Sequence, residues 1–288
     1  MTQTWFITGS SRGLGRALAE AALNRGDRVA VTARRPDLLW DLKERFGDRA
    51  LPLRLDVTDP AEAMGALDQT ATRFGGVDVI VNNAGYANVA AIENADDADV
   101  RAQFETNFWG VYNVSKAAIP HLRRQRRGLI MQISSIGGRA GGSPGLAPYL
   151  AAKFAIDGFS RVLRAETAPF GIRVLIVEPS GLRTDWAGSS MVIHDVVDDY
   201  QATVGALNAR IRSTQGREGD PARAAEILVA LAKRQDIPTQ LALGANAAEL
   251  AIVQDQRLLE SDTKWRSVSR SVDFGQTYPV PFPPDAGA

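Results

Sequence analysis

Short apolar segments alternate with longer segments of helical periodicity, and this order constrains the fold more than any other feature of the chain. The segments typical of strands are 4–8, 28–32, 51–55, 77–81, 129–133, 173–177 and a weaker 240–243. The helical segments are 13–25, 36–46, 60–74, 98–124, 148–168 and 221–233. Strands that are almost wholly apolar are typical of parallel sheets covered on both faces. We therefore predict an α/β fold of the Rossmann type, a doubly wound parallel seven-stranded sheet with helices on both faces.

The alternation continues without a linker to about residue 245. Residues 1–245 are therefore predicted to form a single Rossmann-type domain. Within it, residues 180–220 contain no clear strand and have scattered Gly, Asp and Ser, as a flap over a binding site would. Residues 246–288 are predicted to be a helical extension with a proline-rich tail, which is extended or disordered from Tyr278 onward.

Composition excludes several classes of protein. Lys and Arg together number 33, as do Asp and Glu, so no net charge attracts the chain to nucleic acid or to a membrane surface. The basic run 121–127 is interpreted as the solvated end of a helix. There is no cysteine, which excludes disulfides and thiolate chemistry, and the histidines, His121 and His194, lie in no ligand-like cluster, so no metal is expected. No secretory signal and no membrane span are visible, so a cytoplasmic location is expected.

A glycine-rich loop follows the first predicted strand and leads directly into the first predicted helix. Glycines allow a sharp turn and a close approach of backbone to a pyrophosphate, whose charge the N–H groups at the helix start then stabilise. A glycine loop alone is weak evidence, but this one stands where the mechanism requires it. The predicted cofactor contacts in the loop are Gly9, Ser11, Arg12, Gly13, Leu14 and Gly15.

The end of the second predicted strand distinguishes the two nicotinamide dinucleotides. An NAD site usually has Asp or Glu there to bind the ribose hydroxyls, whereas this chain has Arg34 and Arg35. A guanidinium grips a phosphate with two parallel hydrogen bonds. The alternative is that Arg12, Arg34 and Arg35 are all solvated surface residues, and this fits Arg35 best. Arg12 and Arg34 together indicate NADP(H), with NAD(H) as the less favoured cofactor.

Tyr149 and Lys153 lie four residues apart, which places both side chains on one face of the predicted helix 148–168. A free tyrosine has a pKa of about 10 and is a poor acid or base at neutral pH. A nearby ammonium, together with the positive nicotinamide of an oxidised cofactor, would lower this pKa. The pair therefore suits proton transfer beside hydride transfer, although its spacing is common by chance.

Further segments make the chain resemble the short-chain dehydrogenase/reductase family, in unbroken order from residue 4 to about 185. The loop with Thr8 in front resembles the family's Thr-Gly-x-x-x-Gly-x-Gly motif, and 82–85 resembles its Asn-Asn-Ala-Gly motif. The resemblance implies that Asn107, Ser135, Tyr149 and Lys153 are catalytic, with Ser134 as the alternative serine. It implies that the remaining cofactor contacts are Asp56, Val57, Asn82, Asn83, Ala84, Gly85, Tyr149, Lys153, Pro179, Leu182 and Thr184, and Ser180 departs from the usual glycine.

The resemblance implies an NADP(H)-dependent oxidoreductase that interconverts a secondary alcohol and a ketone, or a primary alcohol and an aldehyde. Ser135 and Tyr149 would bind the substrate oxygen, Tyr149 would transfer its proton, Lys153 would hold the nicotinamide ribose, and Asn107 would hold a water on a proton path. The alternative is an NADP(H)-binding redox sensor without turnover. Segments 86–93, 137–148 and 185–200, with Trp186, Met191 and Val192, predict an apolar substrate pocket. The family also suggests a dimer or tetramer formed through helices 98–124 and 148–168.

Overall fold

The computed structural model describes residues 2–184, 186, 191–213 and 218–284. Among these residues, seven parallel strands form one sheet in the order β3-β2-β1-β4-β5-β6-β7. The strands are β1 (Thr4–Ile7), β2 (Arg28–Ala33), β3 (Ala50–Arg54), β4 (Val79–Asn82), β5 (Gly128–Ile133), β6 (Ile172–Pro179) and β7 (Gln240–Leu243). The predicted α/β fold with a parallel seven-stranded sheet is confirmed.

Helices connect the strands and cover the sheet. They are α1 (Gly13–Asn24), α2 (Trp40–Phe46), α3 (Pro60–Phe74), α4 (Asp97–Phe104), α5 (Gly110–Gln125), α6 (Gly137–Ala140), α7 (Ala147–Thr167), α8 (Ala206–Arg212), α9 (Pro221–Ala232) and α10 (Ala245–Arg270). Local sequence fixes the start of α3: the Asp59 carboxylate accepts hydrogen bonds from the first N–H groups of the helix, and Pro60 follows with a φ that suits a first helical position.

Both faces of the sheet are buried, as the apolar strands require. Trp5 and Ile7 of β1 pack in a core with Leu18 of α1 and Leu228 of α9. Phe6, between them in sequence, points to the opposite core, which α3 and α5 cover. Alternate side chains of a strand point to opposite faces, so a strand buried on both faces needs an unbroken apolar run.

The predicted helix 98–124 is interrupted in the structure. It consists of α4, a π-helical turn over Glu105–Trp109, and α5. Such a turn adds one residue to the helix and is frequent at functional sites. The predicted helix 36–46 likewise begins with a 3₁₀ turn over Pro36–Leu39 before α2.

The described part of segment 180–220 packs against the body of the protein. Trp186, Ile193, Leu207 and Ile211 contact an apolar cluster that includes Tyr149. Positions 185, 187–190 and 214–217 of the predicted flap lie outside the described residues.

The C-terminal segment begins with α10, in which residues 256–267 are all exposed. After α10 the chain forms no further helix or strand through Pro284. The centre of the Phe282 ring lies 6.0 Å from that of the Trp265 ring on α10. Over the described ranges, none of the helices has the length and apolarity needed to cross a membrane. Trp109, Phe154 and Val162 are exposed on the π turn and α7. A contact between copies through this region stays a prediction.

Candidate active site

A cleft of about 1220 Å³ opens at the carboxyl ends of the central strands. β1 lies between β2 and β4, where the strand order reverses direction, and ligands of open α/β sheets bind at such a point. A site for one small molecule typically occupies about 300–1,000 Å³. The cleft therefore has room for a dinucleotide and a second ligand beside it.

The glycine loop forms one wall of the cleft through Gly9, Ser11, Arg12, Gly13 and Leu14. Gly9 has φ +68°, and a Cβ there would stand 3.0 Å from the Cα of Ala84. A Cβ at Gly15 would stand 2.4 Å from both the carbonyl oxygen of Gly9 and Nδ2 of Asn83. Gly15 thus lies behind the loop rather than in the wall. The loop is a close-packed cradle that fits a pyrophosphate at the start of α1.

Asn83 ties the loop to the end of β4. Its side chain donates hydrogen bonds to the carbonyl oxygens of Thr8, at 2.9 Å, and Gly9, at 3.2 Å, and its backbone N–H donates to the Thr8 hydroxyl. Asn83, Ala84 and Gly85 line the cleft. Asn82 does not: its buried amide bonds to Ser115 and Gln132, so it braces the sheet behind the site.

The two adjacent arginines that follow β2 have different surroundings. Arg34 lines the cleft, whereas Arg35 is exposed and pairs with Asp37 at 2.8 Å. Asp56 and Val57 line the cleft after β3, and Asp56 Oδ1 accepts hydrogen bonds from the backbone and hydroxyl of Thr58. Of the three arginines that the sequence analysis considered, Arg12 and Arg34 line the cleft and Arg35 does not.

Ser135, Tyr149 and Lys153 come together inside the cleft. The Ser135 hydroxyl lies near the Tyr149 hydroxyl and acts to lower its pKa. The ammonium of Lys153 lies 5.5 Å from the centre of the Tyr149 ring and donates a 2.7 Å hydrogen bond to the carbonyl oxygen of Ile133. The β5 strand end and the first turns of α7 thus converge on one point.

Burial dominates the acid–base properties of this group. It raises the pKa of Tyr149 to about 12, against the opposite effect of the Ser135 hydroxyl. It lowers the pKa of Lys153 to about 8, against the charge of Asp157. In the chain itself, desolvation of the phenolate is the largest influence on this pKa, and the lowered pKa expected beside an oxidised cofactor stays a prediction. Tyr149 is a neutral phenol at neutral pH.

The two adjacent serines differ in their surroundings. The Ser135 hydroxyl faces Tyr149 and also accepts a 3.1 Å hydrogen bond from the backbone N–H of Gly137. Ser134 is buried, and its hydroxyl donates to the carbonyl oxygen of Lys153 at 3.4 Å. Ser135 is therefore the serine whose hydroxyl can share a substrate oxygen with Tyr149.

Asn107 lies in the π turn, fully buried and outside the lining of the cleft. Its amide spans the backbone of Tyr86, accepting from the N–H at 3.0 Å and donating to the carbonyl oxygen at 2.8 Å. A Cβ at Gly85 would stand 2.6 Å from Asn107 Oδ1 and 3.8 Å from Lys153 Nζ. Asn107 therefore fixes the segment that packs behind Lys153.

A strip of residues 179–184, which begins at the last residue of β6, lines the cleft through Pro179, Leu182 and Thr184. Ser180 replaces the glycine of the family motif. Its backbone N–H donates to the carbonyl oxygen of Leu243 at 3.0 Å, and a Cβ at Gly244 would stand 2.3 Å from its hydroxyl. The strip is thus in contact with the turn that leads into α10.

Apolar and aromatic side chains line the cleft near Tyr149, together with the charged Arg210 of α8. The Trp186 ring lies 5.3 Å from the Tyr149 ring. The predicted Met191 and Val192 are not in the lining: Met191 packs in the cluster around Tyr149, and Val192 is exposed. Leu207 and Arg210 of α8 and Asn246 and Leu250 of α10 also line the cleft, and no motif in the sequence indicated them. Further apolar side chains of this part are Leu146, Leu150 and Ile211.

Asp157 is a buried carboxylate that the motifs did not identify. It follows Lys153 by one helical turn, is 4% exposed, and neither of its carboxylate oxygens has a hydrogen-bond partner among the described residues. Burial raises its pKa to about 7, and the nearby negative charge of Glu178 acts in the same direction. The Ser134 hydroxyl and the charges of Lys153 and Arg161 oppose this shift. In the sequence, only the spacing of four residues from Lys153 indicated that Asp157 lies on the same helical face.

The raised pKa of Asp157 predicts a loss of stability with increasing pH. In unfolded chains an aspartate has a pKa of about 3.9, so between about pH 4 and 7 the folded protein binds more protons at this site than the unfolded one. Its stability therefore falls through that window. Asp157→Asn, neutral throughout, should raise the melting temperature by about 3 °C at pH 8 and change it little at pH 5. Differential scanning fluorimetry measures both; an equal gain at the two pH values, or a gain also in the exposed Asp262→Asn control, would contradict the explanation.

Known proteins match this chain along most of its length. The family model described as short chain dehydrogenase matches residues 3–191. This chain belongs to the short-chain dehydrogenase family. Oxidoreductase BOA17 of Botryotinia fuckeliana is 49% identical over 271 residues, which cover 93% of this chain and 98% of that protein.

Solved structures agree with this short-chain dehydrogenase fold. A short-chain dehydrogenase from Streptomyces avermitilis has a TM-score of 0.88 at 36% identity, covering 94% of this chain and 98% of that one. An alcohol dehydrogenase from Thermococcus sibiricus complexed with 5-hydroxy-NADP has a TM-score of 0.69 at 26% identity, covering 84% and 95%. The protein is an oxidoreductase of the NAD(P)-dependent kind, and the cleft described above is its candidate active site.

Proposed function

We propose that this short-chain dehydrogenase uses NADPH to reduce an apolar ketone or aldehyde to the alcohol, with the reverse oxidation at the same site. The observation that supports this most is the convergence of the Ser135 and Tyr149 hydroxyls and the Lys153 ammonium in one cleft. The apolar walls from Leu146, Leu150 and Trp186 support an apolar substrate.

The cofactor would lie along the cleft from the arginines to Lys153. The glycine cradle fits its pyrophosphate, and Asp56 and Val57 lie where its adenine would be. Arg12 and Arg34 would pair with a 2′-phosphate, and the described end of β2 has no carboxylate to repel it. Pro179, Leu182 and Thr184 would face the nicotinamide, which supplies or accepts the hydride.

The protein's own residues would handle the substrate oxygen and its proton. The Ser135 hydroxyl donates a hydrogen bond to the carbonyl oxygen and orients it beside Tyr149. Tyr149 donates its phenolic proton to that oxygen as negative charge develops, and its raised pKa keeps it in the protonated form that a donor needs. Lys153 holds the nicotinamide ribose and stabilises the phenolate left on Tyr149. Asn107, by fixing the Tyr86 backbone, holds the segment behind Lys153 in place.

A turnover assay tests the proposal. The protein is incubated with NADPH or NADH and a panel of ketones and aldehydes of increasing length, and oxidation of the cofactor is followed by absorbance. We expect turnover with apolar carbonyl compounds and a higher kcat/KM for NADPH than for NADH. Tight NADPH binding without turnover across the panel, in either direction, would contradict the proposal and favour a redox sensor.

A further inference from the structure

Helix α10 lies wholly beyond residue 191, where the match to the family model ends, yet it reaches the active site. Its first turns pack against the serine loop: Ala247 and Ala251 are buried in a cluster with Ile136, the residue after Ser135. Asn246 and Leu250, on the same turns, line the cleft. The start of α10 thus contacts the segment that positions Ser135 and also forms part of the wall.

The turn that leads into α10 also packs against the strip of residues 179–184. Gly244 has φ +113°, a conformation that favours glycine, and a Cβ there would stand 2.3 Å from the Ser180 hydroxyl. The backbone N–H of Ser180 donates to the carbonyl oxygen of Leu243. The serine that replaces the family's glycine therefore packs directly on the turn between β7 and α10.

A charged bridge fixes the next turns. Arg139, on α6 four residues after Ser135, donates from Nε to Asp255 of α10 at 3.2 Å, and a second nitrogen bonds the other carboxylate oxygen. Its remaining nitrogen bonds the fully buried Glu178 at 3.2 Å. Glu178 also accepts from Gln240 of β7 at 3.0 Å. The planar guanidinium thus joins the serine loop, the sheet and α10 in a fixed geometry.

We infer that the first turns of α10 form one wall of the substrate site, with Leu250 as a specificity-determining residue and the Arg139–Asp255 bridge as the contact that holds the wall in place. This inference rests on the proposed function, because it assumes a carbonyl substrate bound at Tyr149. The chemical class it defines is an apolar carbonyl compound long enough to extend from Tyr149 to Leu250. On this inference, a short carbonyl compound bound at Tyr149 does not contact Leu250.

Two substitutions to tryptophan on α10 test the wall. Leu250→Trp puts a larger side chain on the wall of the cleft, and Leu259→Trp places the same residue on the same helix outside the lining of the cleft. For the shortest and the longest methyl ketone that the unchanged protein accepts, we expect the ratio of kcat/KM, long to short, to fall about tenfold in Leu250→Trp. Leu259→Trp should keep the ratio of the unchanged protein.

The bridge is tested by Asp255→Asn, with the exposed Asp262→Asn on α10 as the matched control. Asp255→Asn should raise KM for the long ketone about threefold or more with kcat little changed, because the bridge holds the wall and touches no reacting atom. Hydrogen–deuterium exchange of the amides in residues 246–255 should also become faster than in the control.

The outcomes separate this inference from the proposed function. If the unchanged protein reduces the ketones but Leu250→Trp and Leu259→Trp alter the ratio equally, or not at all, α10 does not select the substrate. If Asp255→Asn matches its control in both KM and exchange, the bridge does not hold the wall. If the unchanged protein reduces none of the ketones, the proposed function is wrong, and this inference with it.

Discussion

Tyr149→Phe should reduce turnover about 100- to 10,000-fold, because it removes the one hydroxyl placed to give a proton to the substrate oxygen. The substitution keeps the ring, which packs beside Trp186 and within the apolar cluster, so the fold of the site is preserved. NADPH affinity should stay within about twofold of the unchanged protein, since a transition-state contact contributes little to binding of the cofactor. Initial rates with the best carbonyl substrate and a fluorescence titration with NADPH measure the two quantities.

Tyr112→Phe is the matched control for this experiment. Tyr112 lies on α5 among Trp109 and Phe159, outside the lining of the cleft, and loses the same hydroxyl. Its rate should equal that of the unchanged protein. A near-normal rate in Tyr149→Phe would show that another group transfers the proton, and a loss of NADPH binding would show that the hydroxyl supports the cofactor instead.

The fold could be predicted because its signals are local. Apolar runs such as those of β1 and β4 occur only where both faces of a strand are covered, and the alternation with helices then fixes a parallel sheet. The π turn around Asn107 could not be predicted in this way. It inserts one residue into a helix without breaking the apolar pattern on either side, so the sequence predicts one continuous helix.

The site could be predicted as far as its residues lie at strand ends or at helical spacing. Ser135, Tyr149 and Lys153 meet in the cleft because a strand end and a helix start converge there. Leu250 and the Arg139–Asp255 bridge depend on contact between segments 116 residues apart, for which a single sequence has no signal. The raised pKa of Tyr149 in the chain itself could not be predicted either, because the degree of burial depends on distant residues such as Trp186 that pack around it.

Arg34 and Arg35 are a further case in which the sequence could not show how a side chain is placed. Both follow β2, and the sequence favoured Arg34 through its place at the strand end and through the family resemblance. The structure distinguishes them, since Arg34 lines the cleft while Arg35 is exposed and paired with Asp37. These neighbours therefore form a natural pair of test and control for the cofactor.

Arg34→Asp should reverse the cofactor preference by lowering kcat/KM for NADPH about 100-fold relative to NADH. The variant removes a guanidinium that can bind a 2′-phosphate and puts a carboxylate in its place, which repels the phosphate but can accept hydrogen bonds from the ribose hydroxyls of NADH. Losing such a charged contact typically costs about 2–5 kcal/mol, which corresponds to at least a 30-fold effect.

Arg35→Asp makes the same change in charge one residue away, on a side chain outside the cleft, and should keep the ratio within about threefold. Initial rates with both cofactors at one ionic strength give the two ratios. An unchanged ratio in Arg34→Asp would show that Arg34 does not bind the phosphate, and an equal shift in both variants would show that the net charge of the surface, rather than a specific contact, sets the preference.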